Sequence, residues 1–148
     1  MAVDECGLKG LSVKRFSEET VKKFEKLKEQ GKLPKFASNL NPVDITGSGT
    51  SEMFELSAKI LFEDPEVCGI ILLGLHHTPA LQEDYIDRVA KVASGYDKPI
   101  VACDIGETEM ALRTRLRFDK FSLPAYSSPE DAPIAVSALT IYGCCRRK

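Results

Sequence analysis

Two periods of apolar spacing alternate along this chain, every second residue where a strand is half exposed and every third or fourth where a helix lies on a core. Residues 1–6 read as the tail of a helix closed by Gly7 as a left-handed cap. Residues 11–16 alternate apolar and polar, the pattern of a half-exposed edge strand. Ser17 then offers an N-cap with Glu18 and Glu19 in the first turn, and Val21, Phe24, Leu27 and Lys28 continue at helical spacing to Gly31. The third residue after Ser17 is Thr20, so the acid or amide of a full capping box is missing.

A long connection over residues 31–49 carries Pro34, Pro42, Gly47 and Gly49, and loops of that length inside a compact domain tend to be functional. A helix follows from about Ser51 and ends at Asp64-Pro65. Residues 67–75 form a continuous apolar run bounded by turn residues, which is a strand buried on both faces and therefore covered by helices on both sides of its sheet. The pattern continues with a helix over 80–94, a buried strand over 99–104, a helix over 107–118, a short strand over 123–126 and a helix over 130–144. Strands alternating with helices imply right-handed crossovers and an α/β fold, a three-layer doubly wound parallel sheet. Such sheets normally open on a strand, usually a central one. This pattern opens on a helix, so Met1 reads as an internal methionine and the sheet is expected to lack its first strand. No internal repeat or low-complexity tract is present.

Length and composition narrow the function classes. A chain of 148 residues is the size of one domain, here taken as 1–148 and truncated at its N-terminus. At 43% hydrophobic and 28% charged it reads as an ordinary globular protein. A net charge of -2 with acids and bases interleaved gives no footprint for nucleic acid, and Arg146-Arg147-Lys148 reads as a solvated end. No run approaches the roughly 20 apolar residues that span a bilayer, so no membrane partner is expected. Asp4 and Glu5 argue against a leader peptide, which favours a cytoplasmic protein. Five cysteines without a CxxC pair point to reduced thiols, with Cys144 and Cys145 as small apolar residues.

Ligands of open parallel sheets bind beyond the carboxyl ends of the strands, and three stretches are expected there. In the first, Asn41 and Asp44 can hold a loop by side-chain to backbone bonds, while Gly47 and Gly49 let the backbone approach a ligand. Thr50 or Ser51 then caps the next helix, whose free N–H groups can face an anion. The bland alternative is an ordinary loop and cap. The second stretch is His76-His77-Thr78-Pro79, at the mouth of the most buried strand, where an anion or partner contact competes with plain loop histidines. Adjacent residues of an extended segment point opposite ways, so two imidazoles sharing one metal ion is disfavoured and no metal is expected. The third is Asp104-Ile105-Gly106-Glu107, where Gly106 permits a tight turn and the two acids repel a phosphate. No GxGxxG, Walker lysine loop or nucleophile elbow is present, and no catalytic residue is assigned.

The order of these features resembles one family. Asn41-Pro42-Val43-Asp44-Ile45-Thr46-Gly47, then Glu63-Asp64-Pro65-Glu66-Val67, a buried strand, Lys98-Pro99-Ile100 and a closing Pro124, Tyr126, Ser128, Pro129, Glu130 and Ala132 are similar to NDP-forming (ADP-forming) acyl-CoA synthetases of the succinyl-CoA synthetase superfamily. The resemblance runs from Met1 to about Tyr142 and is to the second flavodoxin-like domain of the α-type subunit. It implies a flavodoxin-like fold and an acid–thiol ligase: acyl-CoA, ADP and phosphate going to acid, ATP and CoA through a phosphorylated histidine. That histidine belongs to the preceding domain, and His76 and His77 are not it. The resemblance further implies CoA and ADP or ATP with Mg in the complete enzyme and none held by this domain alone. Its partners would be the CoA-binding, phosphohistidine and ATP-grasp domains, with a homo-oligomer left open. By position, the loop at His76, His77 and Thr78 and the helix after it match the element whose N-terminus faces the phosphohistidine; a Gly-Gly turn stands there in succinyl-CoA synthetases. The leading expectation is therefore one domain of an acetate–CoA ligase type of enzyme, inactive alone. The alternative is a non-catalytic ligand-sensing or interaction domain such as that fused to protein acetyltransferases, and a flavin-binding flavodoxin is a weaker third.

Overall fold

The computed structural model describes residues 1–75, 78–106 and 108–146, with side chains described through Gly143. His76, His77, Glu107, Arg147 and Lys148, and the side chains of Cys144, Cys145 and Arg146, all read from sequence above, lie outside what it describes. The described elements run α1 (Ala2–Leu8), α2 (Glu18–Glu29), α3 (Ser51–Glu63), β1 (Ile70–Gly74), α4 (Tyr85–Ala93), β2 (Ile100–Asp104), α5 (Glu109–Asp119), β3 (Ala125–Tyr126) and α6 (Asp131–Arg146). The residues group into two compact units. One comprises the described residues of Met1–Val13, Gly69–His76 and Lys98–Lys148; the other comprises those of Lys14–Cys68 and His77–Asp97.

The first unit holds the sheet. Its strands run in the order β1-β2-β3 and every pairing is parallel, with Ile70 opposite Ile100 and Gly74 opposite Asp104. The α/β class with a parallel sheet is thus as the alternation of periods predicts. β2 is buried at all five positions, as a continuous apolar run requires. Val101 and Cys103 point to one face, where Ala132 and Val136 of α6 and the partly buried Leu11, Ile71, Tyr126 and Ala135 complete a core. Gly69 belongs to this packing, since a Cβ there would meet the Pro99 ring at 3.2 Å and Val136 at 3.6 Å.

The second unit is helical. Phe24 of α2, Leu33 and Ile60 of α3 are buried together, joined by Leu27, Val43, Ile45, Met53 and Leu61. Ser17 caps α2 by accepting from the Thr20 N–H at 3.2 Å, and Gly31 stops it in the left-handed region with φ 68. A buried polar bond ties α2 to the end of α3: the Thr20 hydroxyl donates to the Asp64 carboxylate at 2.6 Å. Stacking of Phe62 on Tyr96 and a tilted contact of Phe54 with Tyr85, at an interplanar angle of 49°, join α3 to the segment that contains α4.

Four local expectations differ from the structure. The run over 67–75 is not buried on both faces: its strand spans only Ile70–Gly74, its burial alternates along the strand, and Leu73 and Leu75 are 44 and 52% exposed. Gly7 lies inside α1, and the left-handed residue is Gly10 with φ 72, because that placement lets the Leu11 N–H close back on the Cys6 carbonyl at 2.9 Å. Residues 11–16 form no strand. The Leu11 N–H is taken by the helix cap and the Lys14 carbonyl by the Asn41 side chain at 3.0 Å, so these groups join no ladder. The helix expected over 80–94 begins only at Tyr85, because the residues before it form successive turns, Leu81 to Thr78 and Tyr85 to Gln82.

Candidate functional site

The loop before α3 is built by alternation. Val43 and Ile45 are its apolar anchors in the helical core, while Asn41 and Asp44 put their side chains onto backbone groups. Asn41 Nδ2 donates to the Lys14 carbonyl at 3.0 Å, and Asp44 Oδ1 accepts from the Thr46 N–H at 2.8 Å. Asp44 also exchanges two backbone bonds with Ser38, at 2.9 and 3.1 Å, which closes the loop at its base. Thr46 sits in the left-handed region with φ 70, unusual for a β-branched residue, and is held there by Asp44 and by a 2.9 Å hydroxyl contact with Ser48. Gly47 is exposed with open space where a Cβ would stand. Gly49 is buried, and a Cβ there would lie 2.9 Å from Ile45 Cδ1. A side chain at Gly49 would make Ile45 shift, whereas Gly47 leaves the loop tip open.

Thr50 caps α3, accepting from the Met53 N–H at 3.3 Å, so the neighbouring Ser51 hydroxyl serves another purpose. Ser51 Oγ lies 2.5 Å from Asp84 Oδ1 and 3.2 Å from the Gln82 carbonyl, and its single hydrogen can serve only one of them at a time. Asp84 in turn accepts from Arg88 Nε at 2.7 Å, and Arg88 Nη1 donates to Glu55 at 2.9 Å. The bonds from Ser51 and Arg88 hold the Asp84 carboxyl below the usual carboxylate range. The segment after the histidines is thereby latched to the start of α3, and Thr78, half buried, accepts at its carbonyl from the Leu81 N–H at 3.1 Å. The structure thus ties Ser51, the first residue of α3 and next but one after Gly49, to Gln82 and Asp84 in the segment after Thr78. His76 and His77 lie outside the described residues. The latch residues Gln82, Asp84, Arg88 and Glu55 were not picked out by sequence. Only the Asp84–Arg88 spacing of four is visible there, while Ser51 and Asp84 are far apart in the chain.

The third stretch lies in the sheet unit. Asp104 is fully buried at the end of β2, and Gly106 takes φ 120 in the turn that follows. Arg115 of α5 straps this turn, its Nη1 donating to the carbonyls of Asp104 at 3.0 Å and Gly106 at 2.7 Å. Thr108 caps α5. Beside it, the Ser128 hydroxyl bonds the Glu130 carboxylate and holds it below its ordinary range. Burial, with Asp104 next to it, pushes the Cys103 thiol up to about 11, which makes it a packing group rather than a nucleophile. Among the described residues no three His, Cys, Asp or Glu side chains converge as a metal site would require, and no helix is long and apolar enough to cross a membrane.

Comparison with known proteins adds what this geometry lacks. Residues 2–146 match the model of the Ligase-CoA domain. The chain is 33% identical over 147 residues to "Acetate--CoA ligase [ADP-forming] I" of Archaeoglobus fulgidus, a match covering 96% of this chain and 19% of that protein. It is 27% identical over 144 residues to "Acetate--CoA ligase [ADP-forming] II subunit alpha" of Pyrococcus furiosus, covering 94% of this chain and 30% of that subunit. Its fold is similar to that of the dinucleotide-forming acetyl-coenzyme A synthetase 1 of Ca. Korarchaeum cryptofilum, solved in complex with phosphate and ADP. There the TM-score is 0.82 at 23% identity, over 99% of this chain and 31% of the other. The chain thus spans from about a fifth to under a third of the proteins it matches.

Proposed function

The chain belongs to the Ligase-CoA domain family, and from that premise we propose that it works as one domain of an ADP-forming acyl-CoA synthetase. The observation that carries this reading is the match of residues 2–146 to the Ligase-CoA domain, joined by similarity over 147 and 144 residues to acetate–CoA ligases several times longer. The complete enzyme would convert acyl-CoA, ADP and phosphate into acid, ATP and CoA through a phosphohistidine carried by another domain. CoA-binding and ATP-grasp domains would supply the rest, on the same or another chain. This domain would contribute no catalytic side chain of its own.

In this reading the loop with Asn41, Asp44, Gly47 and Gly49, together with His76, His77 and Thr78, forms the phosphate-facing or interdomain edge. The bond from Ser51 to Asp84, which joins the start of α3 to the start of α4, is the observation that favours this placement. Of the two helix starts nearby, that of α4 bears the Asp84 carboxylate, which repels a phosphoryl group. The start of α3 follows the glycine-bearing loop and is the better donor surface, although Glu52 tempers it. The Archaeoglobus fulgidus relative is a ligase by name, which favours this role over a sensor fused to an acetyltransferase.

The test is a chimera in which these 148 residues replace the matching segment of that relative. Acyl-CoA-dependent ATP formation is expected from the chimera and none from the pure chain. A folded chimera without turnover, or turnover by the pure chain, would contradict the proposal.

A further inference from the structure

β1 and β2 both open on four apolar residues, yet their exposure differs. β2 is buried throughout, whereas Leu73 of β1 is 44% exposed and Ile71, on the same face, is only half-buried. Position explains the difference, since the order β1-β2-β3 leaves β1 at one end of the sheet. The Ile70 N–H donates to the Pro99 carbonyl at 2.9 Å, which sets the direction of the backbone groups that follow. In a parallel strand successive residues turn these groups to alternate sides. Ile70, Leu72 and Gly74 therefore face β2, while Ile71 and Leu73 turn both N–H and C=O outward. Among the described residues no strand or turn pairs with those outward groups. Natural edge strands discourage pairing with a lysine, a proline or a bulge, or by being very short. β3, at the other end of the sheet, has two residues. β1 has five, Ile-Ile-Leu-Leu-Gly, and neither a lysine nor a proline among them.

We propose that the outer edge of β1 docks an extended segment of the complete synthetase from outside these 148 residues, adding a fourth strand to the sheet. The inference rests on the synthetase reading and names a contact which that reading leaves open. The edge dictates the chemistry of its occupant. Two outward N–H and C=O pairs, about 6.6 Å apart, have the repeat of an extended chain and are matched by another extended backbone. A helix cannot match them, because its own backbone groups are bonded internally. The occupant is uncharged where it passes Leu73, since a charge set against that side chain would lose water without gaining a partner. The all-apolar sequence of β1 is also that of an interior strand, which has a neighbour on each side. The larger protein is the source, as the chain spans only about a fifth to under a third of the proteins it matches.

Amide hydrogen exchange read residue by residue over 70–75 tests this, in the chain alone and in the chimera with the Archaeoglobus fulgidus relative. In the chain alone the Ile71 and Leu73 amides should exchange fast and the Leu72 amide, bonded to β2, slowly. In the chimera Ile71 and Leu73 should slow on the order of a hundredfold. Leu73→Pro removes an outward N–H and no bond to β2, so the chain alone should keep its circular dichroism. Ile71 should then exchange fast again in the chimera. Leu73→Lys, the residue that guards natural edges, should do the same and carries the test if proline disturbs the strand. Fast exchange of both amides in the folded chimera overturns the proposal. Slow exchange in the chain alone also overturns it. If independent of concentration, it assigns the edge to this chain itself; if slowing grows with concentration, to a second copy. Slowing in a chimera without turnover keeps the docking and fails the synthetase reading, and turnover without slowing does the reverse.

Discussion

In the sheet unit, β2 is buried at every position and bonded on both edges. In the helical unit, the loop before α3 and the segment after Thr78 keep their places through side-chain bonds, several of them near solvent. The two regions are therefore stabilised by different physics. Burying a Val or Ile side chain contributes about 1.5–3 kcal/mol and penalises any polar replacement, whereas a single intramolecular hydrogen bond adds only about 0.5–1.5 kcal/mol. Segments held by a few bonds near solvent open locally at lower cost than a strand buried along its whole length.

This contrast can be broken in order of expected effect. Phe118→Ala, which empties a side chain only 1% exposed in the sheet unit, should cost about 3–5 kcal/mol in urea unfolding. A cost no greater than that of a loop substitution would end the distinction. Thr20→Val removes the donor to the buried Asp64 while keeping the shape, and should cost about 1–2 kcal/mol. A neutral result would show that Asp64 is satisfied without Thr20. The smallest effect concerns Asp84. Its folded-state pKa is depressed, so its contribution is fully present above the ordinary carboxylate value and is lost as pH falls through the lower folded value. Ser51→Ala should flatten that acid limb of the stability–pH curve, and an unchanged limb would show that Arg88 alone sets it.

Much of the frame is legible in the residues themselves. Residues 70–74 and 100–103 are apolar throughout, and Ser17, Gly31 and Gly106 mark their own turns, so the parallel α/β architecture follows from pattern. The edge strand over 11–16 misleads because alternation reports half-burial, not pairing; Leu11 does pack on the sheet core, yet its N–H closes a helix cap. The start of α4 misleads because apolar spacing is silent about the turns before Tyr85. In the candidate site, Asn41 and Asp44 could be read as loop-holding groups from their types alone. The Ser51–Asp84 latch could not, since it joins residues whose proximity exists only after folding.

The proposed role requires the domain to present the loop before α3 and the segment after Thr78 to the chemistry of a larger enzyme. The direct measurement compares acyl-CoA-dependent ATP formation by the chimera carrying the intact 148 residues with that of the same chimera bearing Ser51→Ala and Asp84→Ala. Loss of the latch should misplace the loops and lower kcat on the order of tenfold or more, with the fold retained by circular dichroism. Equal turnover by the two chimeras would contradict the claim.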